Sequence, residues 1–244
     1  MNKDEAENMR ILMLVNWEIE FSKIAPKGKQ AANYCIDGER YWFFKYFDKN
    51  VEVDVIDYTS CDWITKIEKN KLHFHIIQAI KAIPQLRKYD CIISHGMPSA
   101  VIVGVWRCFF RTKCKHIIYD IGCFNSAARG GFTMKLMQFV SKSFDGIIYH
   151  SSVQQDYYKE FYPWLSDKTK FIRFGVNFAE INKIQKIKNN GDKYILCIDS
   201  GWRDRKTLLE AYKQLNIDIK LRFVGRVEEK DKSIPGVELK HPIS

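Results

Sequence analysis

The segment Asp199–Lys206, DSGWRDRK, sets three bases, Arg203, Arg205 and Lys206, where a strand-like run meets a helical one. A helix N-terminus already carries roughly half a positive charge, so cations there cost ~0.3–1 kcal/mol instead of helping. Three of them make chemical sense when an anion such as a diphosphate sits in front, held by charge-assisted hydrogen bonds. Asp204 offsets part of the charge as a cap or first-turn anion. The plainer reading is a solvated turn with Lys206 and Glu210 paired at i,i+4, in the weaker order of base before acid. His95 closes the aliphatic run of DCIISHG and is either a cleft residue or a satisfied structural histidine. The seven cysteines are scattered, odd in number and never spaced C-x-x-C. That argues against a disulfide framework or a zinc site and for a reducing cytosol.

Composition bounds what these residues can be part of. The chain has 244 residues, 46% hydrophobic and 28% charged, with plentiful aromatics, which suits one large folded domain or two. The polar, acidic start MNKDEAENMR is no secretory signal, and the weakly polar stretch Cys91–Trp106 falls short of a membrane span. A formal net charge of +10 favours anionic partners. The bases form no block of five or more, so a general cationic surface is expected rather than a dedicated nucleic-acid patch.

The elements that must position these side chains follow from periodicity. Strands are expected at Ile11–Asn16, Val51–Tyr58, Cys91–Ser94, Ile117–Tyr119, Gly146–Tyr149 and Lys170–Phe174. Helices are expected at Gly38–Phe47, dense in aromatics, at Ile64–Leu86, at Pro98–Arg111, at Thr133–Phe144 and at Val153–Phe161. Strands alternating with helices imply βαβ units and a parallel sheet covered on both faces. Sites in such sheets lie at the carboxyl ends of the strands, where strand order switches. The polar passage Glu180–Asp192, EINKIQKIKNNGD, reads as a linker, giving domains at 1–178 and 193–244 joined by 179–192. After it the pattern restarts, with strand Tyr194–Ile198, helix Lys206–Leu215, strand Lys220–Val224 and at most one more strand around Val237–Leu239. Two or three strands and one helix cannot bury two sheet faces, so the second domain reads as unfinished.

Four stretches in this order resemble the retaining nucleotide-sugar glycosyltransferases of family 4, with their two-domain GT-B fold. They are DCIISHG (90–96); FDGIIYHSS (144–152) followed by KFIRFGVN (170–177); YILCIDSGWRDRKTLLEAY (194–212); and LRFVG (221–225). The resemblance implies an α/β fold of GT-B type: a complete N-terminal Rossmann-like domain on the acceptor side, and an incomplete Rossmann-like domain for the nucleotide sugar. It implies that Arg203 and Lys206, helped by Arg205, grip the donor diphosphate and stabilise the departing nucleoside diphosphate. Asp120 falls where the family presents a His near the transferred sugar, and an Asp there could bond a sugar hydroxyl or a nearby base; a cap or turn role is the alternative. With His95 it completes the candidate catalytic set. PKGKQ carries a single Gly28 where the family has a Gly-rich pair, and Asp199–Ser200 stand where it has Gly-Arg. The family's Glu-x-x-x-x-x-x-x-Glu motif is absent.

The leading expectation is a sugar transfer with retention from a nucleotide-sugar donor to a cell-surface glycan or lipid-linked acceptor, in polysaccharide biosynthesis. No cofactor or metal is expected. The placement expected is cytoplasmic, extended to peripheral contact with anionic membrane at its inner face through the amphipathic stretch Phe132–Phe144, carrying Lys135 and Lys142. An ordinary sheet-covering helix is the plainer reading of that stretch. The alternatives are a truncated or degenerate, inactive glycosyltransferase and a basic nucleic-acid-binding α/β protein.

Overall fold

The computed structural model describes residues 8–47, 51–122, 124, 130–173, 175, 191, 193–199, 204–215, 217–225 and 234–240. The chain divides into two units, Met1–Gly175 and Val176–Ser244. Most of the expected linker, 179–192, lies outside the described residues.

The first unit is built on strands β1 (Met9–Leu14), β4 (Val51–Ile56), β5 (Cys91–His95), β6 (Lys115–Asp120), β7 (Gly146–Tyr149) and β8 (Thr169–Phe171). They form a six-stranded sheet in the order β4-β1-β5-β6-β7-β8, every pair parallel. From β1 the chain steps outward to β4, then returns past β1 to β5 and proceeds in one direction. The order therefore switches between β1 and β5, and right-handed crossovers send the β1–β4 connection to one face and the later connections to the other.

The two faces are unlike. One carries α2 (Ile76–Ala82), α3 (Met97–Phe109), α4 (Gly131–Ser141) and α5 (Val153–Phe161), packed over Leu12, Leu14, Ile92, Ile118 and Ile147. Gly104 lets α3 and α4 meet closely, since a Cβ there would sit 2.4 Å from Val140 Cγ1. Arg107 then ties the end of α3 to the sheet by a 2.6 Å ion pair to Asp145, whose carboxylate also accepts from the His116 N–H at 2.9 Å.

The opposite face is covered by the β1–β4 connection, which is not the helix expected over Gly38–Phe47. It forms a small parallel ribbon, β2 (Glu20–Ser22) with β3 (Tyr34–Ile36), and a 3-10 turn at Trp42–Phe44. Six aromatics in ten residues carry no 3.6-residue period, and Tyr41 and Phe44 plug into Ile11, Met13 and Cys91 from a turn instead. The expected single helix Ile64–Leu86 is also corrected. It breaks into α1 (Asp62–Ile67), a π-turn at Glu68–Leu72, α2 and a 3-10 turn at Ile83–Lys88. His73 adopts a left-handed conformation (φ 58°), and buried Glu68 accepts from the Ile77 N–H at 2.8 Å, capping the restarted helix from outside. The α-helix stops at Ala82, just ahead of Pro84, and a 3-10 turn carries the chain on from Ile83.

The second unit holds β9 (Tyr194–Asp199), α6 (Arg205–Gln214), β10 (Lys220–Gly225) and β11 (Val237–Lys240), with a parallel sheet in the order β11-β10-β9. Leu209 and Tyr212 of α6 pack on Leu221 and Phe223. No described helix is long and apolar enough to cross a membrane.

Candidate functional site

At the β1/β5 switch point, on the face opposite the helices, aromatic rings converge from four strand ends. Trp17 follows β1, His95 ends β5, Tyr119 lies one residue before the end of β6, and His150 follows β7. The Trp17 and His95 rings meet edge to face at 4.5 Å, His95 stacks on Tyr119 at 5.4 Å and 18°, and Tyr119 meets His150 at 4.6 Å. Phe43, from the 3-10 turn, touches Trp17, His95 and Tyr119 at 5.8, 5.9 and 6.2 Å. Parallel pairing brings these residues level, because His95 and Tyr119 are register partners. Gly96, in the left-handed region at φ 84°, turns the chain sharply out of β5 into α3.

Two ring N–H groups of this layer are anchored on backbone carbonyls. Trp17 Nε1 donates to the Ala32 carbonyl at 2.8 Å, and His150 Nδ1 donates to the Ile172 carbonyl at 2.6 Å, fixing both rings. His95 differs. Only 9% exposed, it keeps Nδ1 buried without a hydrogen-bond partner. Burial, with a lesser push from His150, depresses its pKa to about 4. At neutral pH it is an uncharged imidazole with one donor and one acceptor, suited to holding a hydroxyl and not to delivering a proton. His116, fully buried and bonded to Ser94 Oγ at 2.9 Å, has its pKa lowered to about 3 by burial and is structural.

Asp120 lies at the end of β6 with no exposed surface. Its carboxylate accepts from the Gly122 N–H at 2.9 Å, from Gln154 Nε2 at 2.7 Å and from the Tyr158 hydroxyl. Burial and this carboxylate together raise the Tyr158 pKa. Gln154 in turn accepts from the N–H groups of His150 and Ser151 at 3.3 and 3.0 Å. The chain Asp120–Gln154–His150 thus locks the ends of β6 and β7, which carry Tyr119 and His150. This is turn chemistry made tertiary by α5.

In the second unit, Asp204 caps α6: its carboxylate accepts from the Thr207 N–H at 3.1 Å and hydroxyl at 2.8 Å, and these bonds lower its pKa. Lys206 is exposed and reaches Glu210 at 4.0 Å, the i,i+4 pair of the plainer reading. Arg205 is half-buried in the first turn. Arg203 and Ser200 lie outside the described residues. The expected catalytic and diphosphate sets belong to different units, each at the carboxyl edge of its own parallel sheet. Trp17, Phe43, Tyr119 and His150 were not singled out from the sequence, although three of the four sit at expected strand ends and the strand-end rule reaches them.

Two Rossmann-like units of this kind define the GT-B fold, and comparison with solved structures agrees. The chain is similar to sucrose-phosphate synthase from Thermosynechococcus elongatus (13% identity, 96% of this chain and 71% of that one, TM-score 0.59). It is similar to HepE of Anabaena, solved with UDP and glucose (13%, 97% and 70%, TM-score 0.52). A third likeness is to UDP-GlcNAc 2-epimerase from Neisseria meningitidis bound to UDP-GlcNAc (13%, 97% and 73%, TM-score 0.51). At such identities the likeness is one of fold. Neither a protein-family model nor a curated protein matches the chain by sequence.

Proposed function

We propose that the chain is a nucleotide-sugar-dependent glycosyltransferase, transferring with retention to a glycan or lipid-linked acceptor. The observation that carries this is the aromatic layer around His95 at the switch point of a GT-B fold. Flat rings at strand ends suit the apolar faces of sugars, and a neutral imidazole with an unpaired buried nitrogen suits a sugar hydroxyl. HepE and the epimerase, solved with UDP or UDP-GlcNAc, support a uridine diphosphate sugar as the donor class. The epimerase also sets the competing outcome, since the same fold hosts chemistry other than transfer.

In this reading Arg205 and Lys206, with Arg203, hold the diphosphate and take up the charge that develops on it as the sugar leaves. Lys206 exchanges its weak, solvent-screened contact with Glu210 for the phosphate. His95 touches the sugar. Asp120 is a positioning residue, acting through Gln154 on the loop after β7.

The test is calorimetric titration with UDP and a panel of UDP-sugars, followed by analysis of products with glycan and lipid-linked acceptors. UDP should bind, and Arg205→Ala with Lys206→Ala should weaken it at least roughly 10–100-fold, the loss expected for a single charge-assisted bond at about 1.5–3 kcal/mol. Absence of any nucleotide binding, or a product that is only an isomerised donor, refutes the proposal.

A further inference from the structure

A second surface lies at the opposite edge of the first sheet, where strands begin. There α3 runs out into Phe109 and Phe110, 71% and 56% exposed, followed by Arg111 and Lys113. Phe109 contacts Phe139 of α4 with ring centroids 6.2 Å apart, and Phe139 is 45% exposed although α4 buries Met134, Met137 and Val140 inward. The outer stripe of α4 continues the patch: Phe132, Lys135, Phe139 and Lys142 all face solvent. Beside Phe110 a groove of about 520 Å³ has an apolar floor of Leu86, Trp106 and Cys114 and a rim of Arg87, Arg111 and Lys113.

Cations outnumber acids around these rings, with Asp54 bonded to the groove's Tyr89 and Asp90 near Cys114. Segment 106–115, WRCFFRTKCK, contains no acid, and neither does α4. The neighbouring Asp145 is already bound by Arg107 and Lys115. Exposed aromatics that share a border with uncompensated cations fit a phase that is apolar below an anionic skin.

We infer that this face docks on an anionic phospholipid bilayer, Phe109, Phe110 and Phe139 entering the headgroup–acyl boundary while Arg87, Arg111 and Lys113 engage lipid phosphates. The docking is independent of the transfer reaction, because it uses the amino edge of the sheet and the proposed sugar site uses the carboxyl edge.

Co-sedimentation with phosphatidylcholine vesicles, with and without phosphatidylglycerol, tests it. Expected are strong partitioning to the anionic vesicles, little to the neutral ones, and a marked loss at high salt. Arg111→Glu with Lys113→Glu should lower partitioning at least ~25-fold, about fivefold per cation, and Phe109→Ser with Phe110→Ser should lower it to a similar degree. These side chains are exposed, and an unchanged circular dichroism spectrum establishes that each variant folds. Equal binding to both vesicles, or insensitivity to both variants, overturns the inference. So does wild-type self-association abolished by the Phe pair, which would assign the face to a second copy of the chain, or retention on nucleic acid with none on vesicles.

Discussion

Replacing Asp120 separates a carboxylate that touches substrate from one that builds the site. Asp120→Ala leaves two buried donors, Gln154 Nε2 and the Tyr158 hydroxyl, without an acceptor; Gly122, only partly buried, can turn to water. Each orphaned donor costs about 1–3 kcal/mol, so the loss should be about 2–6 kcal/mol. For a chain of this size that lowers Tm by about 4–24 °C. Asp120→Asn keeps the volume but offers one oxygen to three donors. Gln154 cannot flip to accommodate it, because its Oε1 already serves the His150 and Ser151 N–H groups. We expect a loss of about 2 kcal/mol for Asn, and a double-mutant cycle with Tyr158→Phe should show coupling of about 1 kcal/mol or more. Urea denaturation followed by near-UV circular dichroism measures both. Asn within about 0.5 kcal/mol of wild type, or additive single effects, would refute the clamp and return Asp120 to the reacting centre.

Two further outcomes follow from packing and burial. Gly104→Ala would place a methyl 2.4 Å from Val140 Cγ1 and 2.8 Å from Phe144 Cε1. It should cost about 1–3 kcal/mol in thermal or urea unfolding, with partial recovery in a Val140→Ala background. His95 and His116, held at about 4 and about 3 in the fold, titrate near 6.5 when unfolded, so the unfolded chain binds more protons below that pH. Their contribution is intact above pH ~6.5 and falls as pH drops toward 4 and then 3, by about 2 kcal/mol each at pH 5. His116→Gln should roughly halve the loss between pH 7 and pH 5, read from urea midpoints at each pH.

The strand–helix alternation from Cys91 to Phe171 was legible because each element there is local: an aliphatic run, a capping or N1 residue, an amphipathic turn. Pro98 near the start of α3 and Asp204 before α6 are signals of that kind. The β1–β4 connection was not, because aromatic density says that a segment is buried without saying in what backbone form. Nor was the break at His73, a left-handed residue other than glycine that only its surroundings can justify. The site was half legible. His95 and Asp120 stand at strand ends, but the partners that define them, Gln154 and Tyr158, lie 34 and 38 residues from Asp120, and no local pattern joins them.

The order of the strands also dictates an order of assembly. β5 through β8 are laid down one after another, each beside the last, so that half of the sheet can form as the ribosome delivers it. β1 cannot, because Ile11 must wait for Val53 on one side and Cys91 on the other. Until then ILMLV, which is buried throughout in the finished sheet, travels with at least one edge unpaired. Among the described strands of this sheet, β1 thus waits longest between its own synthesis and the pairing of both its edges.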